Sequence, residues 1–424
     1  MRAAYQRGGA GAQHGQSSDD PGWGGCADAH DQLIALAGAL QAPVVHAFRG
    51  KECVEYDSPY DVGMTGLIGF SSGYRAMEHC DLLLMLGTDF PYRQFLPGGV
   101  PVIQVDVRGE QIGKRVPVAV PLVGTVKDTA GALLPLIEAK TDASHLDRMT
   151  AHYRRARSRL DHLARPSHGD APLHPQHVAA TIDRLAADDA VFTADVGTPC
   201  IWAARYLRMN GRRRLIGSFS HGSMANALPH AIGAQAARPG RQVVALSGDG
   251  GVAMLLGELL TLRQQRLPVK VIVFNNAALS FVELEMKAAR IVTFATDLVD
   301  PDFAGIARAS GLFGTRPETS ADLDGALQAA FAHDGPALVD VRTARQELTL
   351  PPKLTYGEFG GFTSCALTAA QPPPGSRRRT PAGPPAADCG RCPPRSSGAH
   401  RGRRTSRRTC SVRGGVLRWR RPPS

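Results

Sequence analysis

Asp249 and Asn276, in the stretch GDGGVAMLLGELLTLRQQRLPVKVIVFNN, carry oxygens of the kind magnesium takes, separated by a turn, a helical run and a β-rich run. The segment RQVVALSGDGG reads as a buried strand ending in glycines, where a ligand phosphate can approach backbone N–H groups at the start of the next helix. Val252, Leu255, Leu256, Leu259 and Leu260 then follow helical spacing, and VKVIVF has the length and composition of a buried parallel strand. A right-handed crossover returns parallel strands to the same end of a sheet, so both residues are expected at carboxyl ends, over one crevice. Magnesium demands near-octahedral oxygen ligation and keeps substrate phosphates in its shell, so the pair predicts a diphosphate-binding metal site. Gly248, Gly250 and Gly251 leave room for it.

The elements that must carry these residues alternate helix and strand. Leu33, Ile34, Leu36, Ala37 and Leu40 suit an amphipathic helix, while PVVHAF, DLLLMLGTDF and VPVIQVDV read as strands. They predict a first open parallel α/β domain over 22–165. Charged helical text from Asp142 to Leu163 leads into a Pro/Gly/His-rich linker at 166–175. A second α/β domain over 176–350 is expected to hold a helix at 176–187, the strand AVFTADVG, a helix around IWAARYL, the metal motif and a last strand PALVDVR. The fold class is therefore α/β, two open parallel-sheet domains followed by a disordered tail. Residues 1–21 are Gly/Gln/Ser-rich without periodicity and are expected to be unstructured. No repeat of solenoid length is visible.

A chain of 424 residues with 43% hydrophobic content suffices for two or three domains with sizeable cores. Its net charge of +11 is localised: residues 371–424 hold 14 Arg, no Lys and one Asp, +13 in all, so the preceding 370 residues sum to −2. This Arg/Pro-rich end has almost no aliphatic residues before Val412 and cannot offset its ordering entropy. It reads either as an arm for nucleic acid or an acidic surface, or as a GC-rich gene read out of frame. Composition favours the second, so no nucleic-acid partner is expected. Cys389 and Cys392 form a C-x-x-C pair without a second ligand pair at zinc spacing. With no signal peptide and no apolar run near 18 residues, the chain is expected to be cytoplasmic, with reduced thiols.

The stretch that opens with GDG and closes with Asn275 and Asn276 resembles the diphosphate motif of thiamine diphosphate enzymes. That resemblance implies thiamine diphosphate and Mg2+, with the ion on Asp249, Asn276 and the carbonyl of Ala278. It implies cofactor contacts at Gly250, Gly251, Ala277, Leu279 and Ser280, and at Gly222, Ser223 and Met224 in SHGSMANALPH. Met224 aligns with the bulky apolar residue that supports the bent cofactor in this family, although a core-packing role also suits methionine. Phe281, with Leu279 and Ser280, would border the substrate pocket, so Met224 and Phe281 are the catalytic candidates. Asp195, Gly197 and Thr198 in DVGTP fall at a strand end facing the crevice, as ligand contacts or as a helix cap. Glu283 and Glu285 are expected to be solvated or paired with Lys287. Of His174, His177 and His221, the last is the best candidate.

Upstream, RGKECVEYDSPYDVGMTGLIGFSSG, GTDFPYRQFLP and QVDV resemble the FAD-binding central domain of pyruvate oxidases, in particular the pyruvate:quinone oxidoreductase branch. The likeness extends from about Gly24 to Leu350 and implies flavin contacts at Thr65, Gly66, Leu67 and Ile68, at Thr88, Asp89, Phe90, Pro91 and Tyr92, and at Asp106. Physically, Gly66 permits close backbone approach, and Asp106 at a strand end can accept a ribose hydroxyl. The implied reaction is oxidative decarboxylation of pyruvate to acetate and CO2, with electrons passing through FAD to a quinone. Carboligation of the acetolactate synthase type and a non-catalytic cofactor-binding remnant are the alternatives. The resemblance also implies a homo-oligomer and contact with the inner face of the cell membrane. No counterpart of the family's pyrimidine-binding domain and its glutamate is recognised, so impaired catalysis is expected. Past about Phe362 the likeness dissolves into the Arg/Pro-rich end.

Overall fold

The computed structural model describes residues 10–14, 25–167, 172–345 and 347. The expectations for the rest of 1–21, for part of the linker and for the weakly matching and Arg/Pro-rich segments from 351 onward lie outside these residues. The first α/β unit runs β1 (Ala10–His14), α1 (His30–Leu40), β2 (Val44–His46), α2 (Lys51–Val54), β3 (Asp61–Met64), α3 (Ser71–Glu78), β4 (Leu82–Leu86), β5 (Val102–Asp106), β6 (Val120–Val123), α4 (Val126–Leu133) and α5 (Ser144–Leu163). Its strands are parallel, in the order β3-β2-β1-β4-β5-β6, a doubly wound sheet whose order reverses between β1 and β4. Leu82–Leu86 is buried throughout, as a strand covered on both faces must be. Leu33, Leu36, Ala37 and Leu40 of α1 pack onto one face with Leu82, Leu84, Leu86 and Val105.

The strand Ala10–His14 lies within the segment expected to be unstructured. It occupies the middle of the sheet, in parallel register with Val44–His46 on one side and Leu82–Leu86 on the other. AGAQH carries neither an alternating nor a continuous apolar pattern, so periodicity gives it no signal; backbone pairing to two neighbours places it.

The second unit contains α6 (Pro175–Leu185), β7 (Val191–Ala194), α7 (Thr198–Tyr206), β8 (Arg214–Ile216), α8 (Ala227–Ala237), β9 (Val243–Gly248), α9 (Asp249–Met254), α10 (Glu258–Gln265), β10 (Lys270–Asn275), α11 (Ser280–Ala288), α12 (Phe303–Ala309), β11 (Phe313–Thr315), α13 (Ser320–Ala332) and β12 (Ala337–Arg342). Its parallel sheet has the order β11-β12-β10-β9-β7-β8, reversing between β7 and β9. One face packs Phe192, Ile201, Trp202 and Phe274, the other Ala231, Val252, Leu259 and Phe303. The helical run expected after the glycines is two short helices rather than one. The chain turns after Met254, burying Val252, Leu259 and Leu262 and leaving Leu255 and Leu260 exposed. Spacing predicts helix but not the turn that re-aims it.

Buried polar contacts join the units. Arg205 on α7 donates to the carbonyls of Ile68 and Gly69 at 3.2 and 3.3 Å, and Glu52 on α2 takes Arg214 at 3.0 and 3.2 Å. Among the described residues no helix is long and apolar enough to cross a membrane.

Candidate functional site

β9 and β10 pair in parallel with Gly248 opposite Phe274, which sets Asp249 and Asn276 side by side at the carboxyl end of the sheet. The Asp249 carboxylate accepts from the Gly250 N–H at 2.8 Å and from the Asn276 N–H at 3.2 Å. It is 5% exposed, and among the described residues no Lys or Arg pairs with it. Burial lifts its carboxyl above the ordinary carboxylate range, while the N–H groups of Gly250, Ala277, Asn276 and Ala278 pull it down. A buried carboxylate without a side-chain cation, beside an amide oxygen, fits a divalent ion that brings oxygen ligands of its own. Of the two neighbouring asparagines only the second faces the crevice. Asn275 is locked by Asp300 and Asp340 at 2.9 and 3.0 Å, whereas Asn276 Oδ1 accepts, among the described residues, only the local Ala278 N–H at 3.1 Å.

The reversal point between β7 and β9 lies alongside, where open α/β sheets bind ligands. Asp195, at the end of β7, is not the cap of α7, where Gly197 stands at the N-cap. Its carboxylate accepts from Ala227 N at 2.8 Å and Gly248 N at 3.2 Å, tying the start of α8 to the end of β9. Burial raises its carboxyl, against the N–H groups of Ala227, Gly248 and Asn226. A Cβ at Gly251 would overlap Asp195 Oδ2, so this position admits only glycine.

Met224 reaches the same floor. Its Cε lies 3.0 Å, Leu298 Cδ1 3.3 Å and Leu279 Cδ2 3.4 Å from where a Gly250 Cβ would stand. Three apolar side chains thus converge over a glycine, a dry support beside the polar end of the crevice. Two alanines bordering the site, Ala225 and Ala277, hold φ of 59° and 53°, left-handed backbone that alanine adopts only at a cost. Ala277 turns the chain between Asn276 and Ala278, and residues 296–298 fasten it through Leu279 N to Thr296 O at 2.8 Å and Leu298 N to Ala277 O at 2.9 Å. Leu298 and Ala225 were invisible to motif spacing: Leu298 arrives through this antiparallel stitch, and nothing in the sequence marks left-handed alanines.

The remaining candidates separate. Gly222 and Ser223 are exposed on the loop that carries Met224, with His221 beside them. His177 contacts the Ala164 carbonyl at 3.2 Å and His174 pairs with Glu347, away from that loop. Ser280, with a buried Oγ that lacks a hydrogen-bond partner among the described residues, lines a narrow cavity with Asn276, Thr198, Trp202 and Glu283. Phe281 packs instead against the core that contains Trp202 and Phe274. Glu283 pairs with Lys287 at 2.8 Å and Arg345 at 3.4 Å, as expected of a structural acid, and Glu285 is exposed.

In the first unit the loops after β3, β4 and β5 share the carboxyl edge. Gly66, at φ +100°, would place a Cβ 3.2 Å from the Phe90 ring, so the segments Thr65–Ile68 and Thr88–Tyr92 touch. Thr88 Oγ1 accepts the Phe90 N–H at 3.2 Å, and Asp89 pairs with Arg115 at 2.9 Å. Leu67, Pro91 and Tyr92 are exposed and Ile68 half-buried. Asp106 accepts the Arg108 N–H at 2.9 Å through Oδ1, while its Oδ2 and the Thr65 Oγ1 are buried without a partner among the described residues. Hydroxyl and amide groups of a nucleotide would satisfy those two oxygens, so the residues fit such a group.

Residues 195–341 match the C-terminal TPP binding domain of thiamine pyrophosphate enzymes, and residues 23–133 match the central domain of the same enzymes. The "Putative thiamine pyrophosphate-containing protein YdaP" of Bacillus subtilis (strain 168) is 37% identical over 346 residues, 81% of this chain and 59% of that protein. The large subunit of acetolactate synthase isozyme 2 of Escherichia coli (strain K12) is 32% identical over 338 residues, 77% of this chain and 59% of the subunit. The acetolactate synthase large subunit of Parasynechococcus marenigrum (strain WH8102) is 33% identical over 350 residues, 79% and 56% of the two chains. The chain therefore spans between half and two thirds of the length of these relatives.

Proposed function

The chain belongs to the thiamine pyrophosphate enzyme family, and from that premise we propose that it takes part in thiamine-diphosphate- and Mg2+-dependent oxidation of pyruvate, with FAD in the first unit. The balanced reaction is pyruvate, water and a quinone giving acetate, CO2 and the quinol. When bound, thiamine diphosphate supplies the nucleophile and electron sink that make loss of CO2 from a 2-oxo acid possible. The chain's own residues supply position. Asp249, Asn276 and the Ala278 carbonyl would hold the ion. Gly250 and Gly251 give the diphosphate close access to backbone, and Met224, Leu279 and Leu298 form an apolar ledge that keeps water from one side of the crevice. The observation that carries this reading is the buried Asp249 carboxylate, held by backbone N–H groups beside Asn276.

Acetolactate-synthase-like carboligation is the second reading, favoured by the two synthases matched over 77% and 79% of the chain. It would leave a bound flavin without a redox task. A homo-oligomer belongs to either reading. Val292, Phe294 and Val299 are 84%, 79% and 85% exposed in the single chain, apolar surface that a second copy would cover.

One experiment separates the readings: the chain is loaded with FAD, thiamine diphosphate and Mg2+ without oxygen, and pyruvate is added. Oxidation predicts bleaching of the flavin, carboligation predicts acetolactate with the flavin colour kept, and neither product would mean cofactor binding without turnover. In the same preparation Asp249→Ala is expected to weaken thiamine diphosphate binding by at least on the order of a hundredfold, more than loss of an outer-shell partner costs. Titration calorimetry reads this directly, and unchanged affinity would remove Asp249 from the metal site.

A further inference from the structure

The loop that carries Gly222, Ser223 and Met224 is gripped from outside its own domain. Phe48 of the first unit packs against Phe219 with ring centroids 4.3 Å apart and the rings tilted at 51°, and the Arg49 Nη1 donates to Ser220 Oγ at 2.7 Å. Three residues further along, Glu52 receives the Arg214 guanidinium through both oxygens and the Leu215 N–H at 2.9 Å. Its carboxylate is 7% exposed. Residues 48–52 thus hold β8 at one point and Phe219–Ser220 at another, immediately before His221. Inside the second unit the loop is tied by Gly222 N to Ser218 O at 2.7 Å, Ser218 N to Asn226 Oδ1 at 3.0 Å, Asn226 Nδ2 to Ser223 O at 2.5 Å and Val196 N to Ser223 O at 3.3 Å, and Phe219 packs against the core that contains Phe192 and Trp202.

We propose that Phe48, Arg49 and Glu52 are positioning residues for the thiamine diphosphate loop, a clamp by which the first unit sets where Gly222–Met224 stands. The inference rests on the reading of that loop given above. Arg49 is suited to the task because an arginine keeps its charge in proteins and donates a charge-assisted bond; burial lowers its guanidinium's pKa and Glu52 acts the other way. Phe48 and Phe219 supply the apolar half of the contact. Neither side chain reaches Asp249 or Asn276 in the structure; they act through the loop.

The test is a double-mutant cycle in the full chain, with thiamine diphosphate affinity measured by calorimetry at saturating Mg2+. Arg49→Met and Ser220→Ala are each expected to raise Kd by roughly three- to tenfold, the net weight of one ordinary, solvent-exposed hydrogen bond. The double variant is expected to be no weaker than either single one, because both remove the same contact. Arg49→Lys should recover part of the affinity, and the thermal midpoint without cofactor should move little. A merely structural role would shift that midpoint and leave Kd alone, and this outcome overturns the clamp, as does an additive double variant. If Arg49→Met does not fold, the exposed Ser220→Ala decides alone: wild-type affinity there refutes the proposal. Wild-type chain that binds no thiamine diphosphate would instead bring down the reading of the site, and the clamp with it.

Discussion

Asp195 contributes to the crevice by holding its borders together. Its two short bonds from Ala227 N and Gly248 N cross between the segments that border the cofactor loop and the metal motif. Asp195→Ala leaves two buried N–H groups without an acceptor and is expected to cost about 2–4 kcal/mol of stability, read from urea unfolding. A loss under about 0.5 kcal/mol would mean that water takes the place of the carboxylate. Lys270 offers a test by pH. Its ammonium, 4% exposed, lies against the carbonyls of His333 and Gly335, and burial lowers it to about 8. Between that value and about 10.4 in the unfolded chain, the folded protein is already neutral while the unfolded one still binds a proton, so stability from this residue rises with pH. Relative to Lys270→Met, the wild type should gain in urea midpoint from about pH 7.5 to about pH 10; a constant difference would contradict the assignment. At this scale the sequence gives up residue types readily. Asp249 and Asn276 announce themselves by spacing, whereas the role of Asp195 depends on which N–H groups the fold brings to it.

Between residues and domains, the turn Asn276–Ala278 is the element with most at stake. Alanine at φ 53° occupies backbone that glycine takes freely and β-branched residues resist. Ala277→Val is therefore expected to destabilise by about 2 kcal/mol. Ala277→Gly should stay within about 0.5 kcal/mol of wild type, because relief of strain and the greater freedom of the unfolded chain nearly cancel. Thermal unfolding distinguishes them, and equal losses would show that the cavity, not φ, is what the valine violates. Elements with a strong pattern were legible in advance: the strands at 191–194, 243–248 and 270–275 and the helix at 175–185 lie where periodicity places them. Short, small-residue elements were not. β1 has no apolar signature, β11 is three residues long, and the turn between α9 and α10, which keeps Val252 and Leu259 against one core, is not registered by a count of apolar spacings.

Across the whole molecule, charge and fold are separable. A chain ending at Ala370 carries −2 where the full chain carries +11. At about pH 7 it should pass through a cation exchanger that retains the full chain, since net charge governs such binding. Its affinity for thiamine diphosphate should match that of the full chain to within about twofold, because the residues described in the site all precede position 350. A larger drop would make the Arg-rich end a participant in binding. The two-sheet plan was readable from alternating helix and strand, but the way the sheets meet was not, because the contacts of Glu52 and Arg205 join residues more than a hundred positions apart. That meeting limits exchange. Arg205 is spent on the carbonyls of Ile68 and Gly69, and Glu52 on Arg214 and Leu215. Neither unit can be grafted onto a foreign partner without stranding a buried charge. Recombination between homologues should therefore succeed when the crossover carries both sides of these contacts together, and fail when it falls in the seam between the sheets, however closely the separate halves agree.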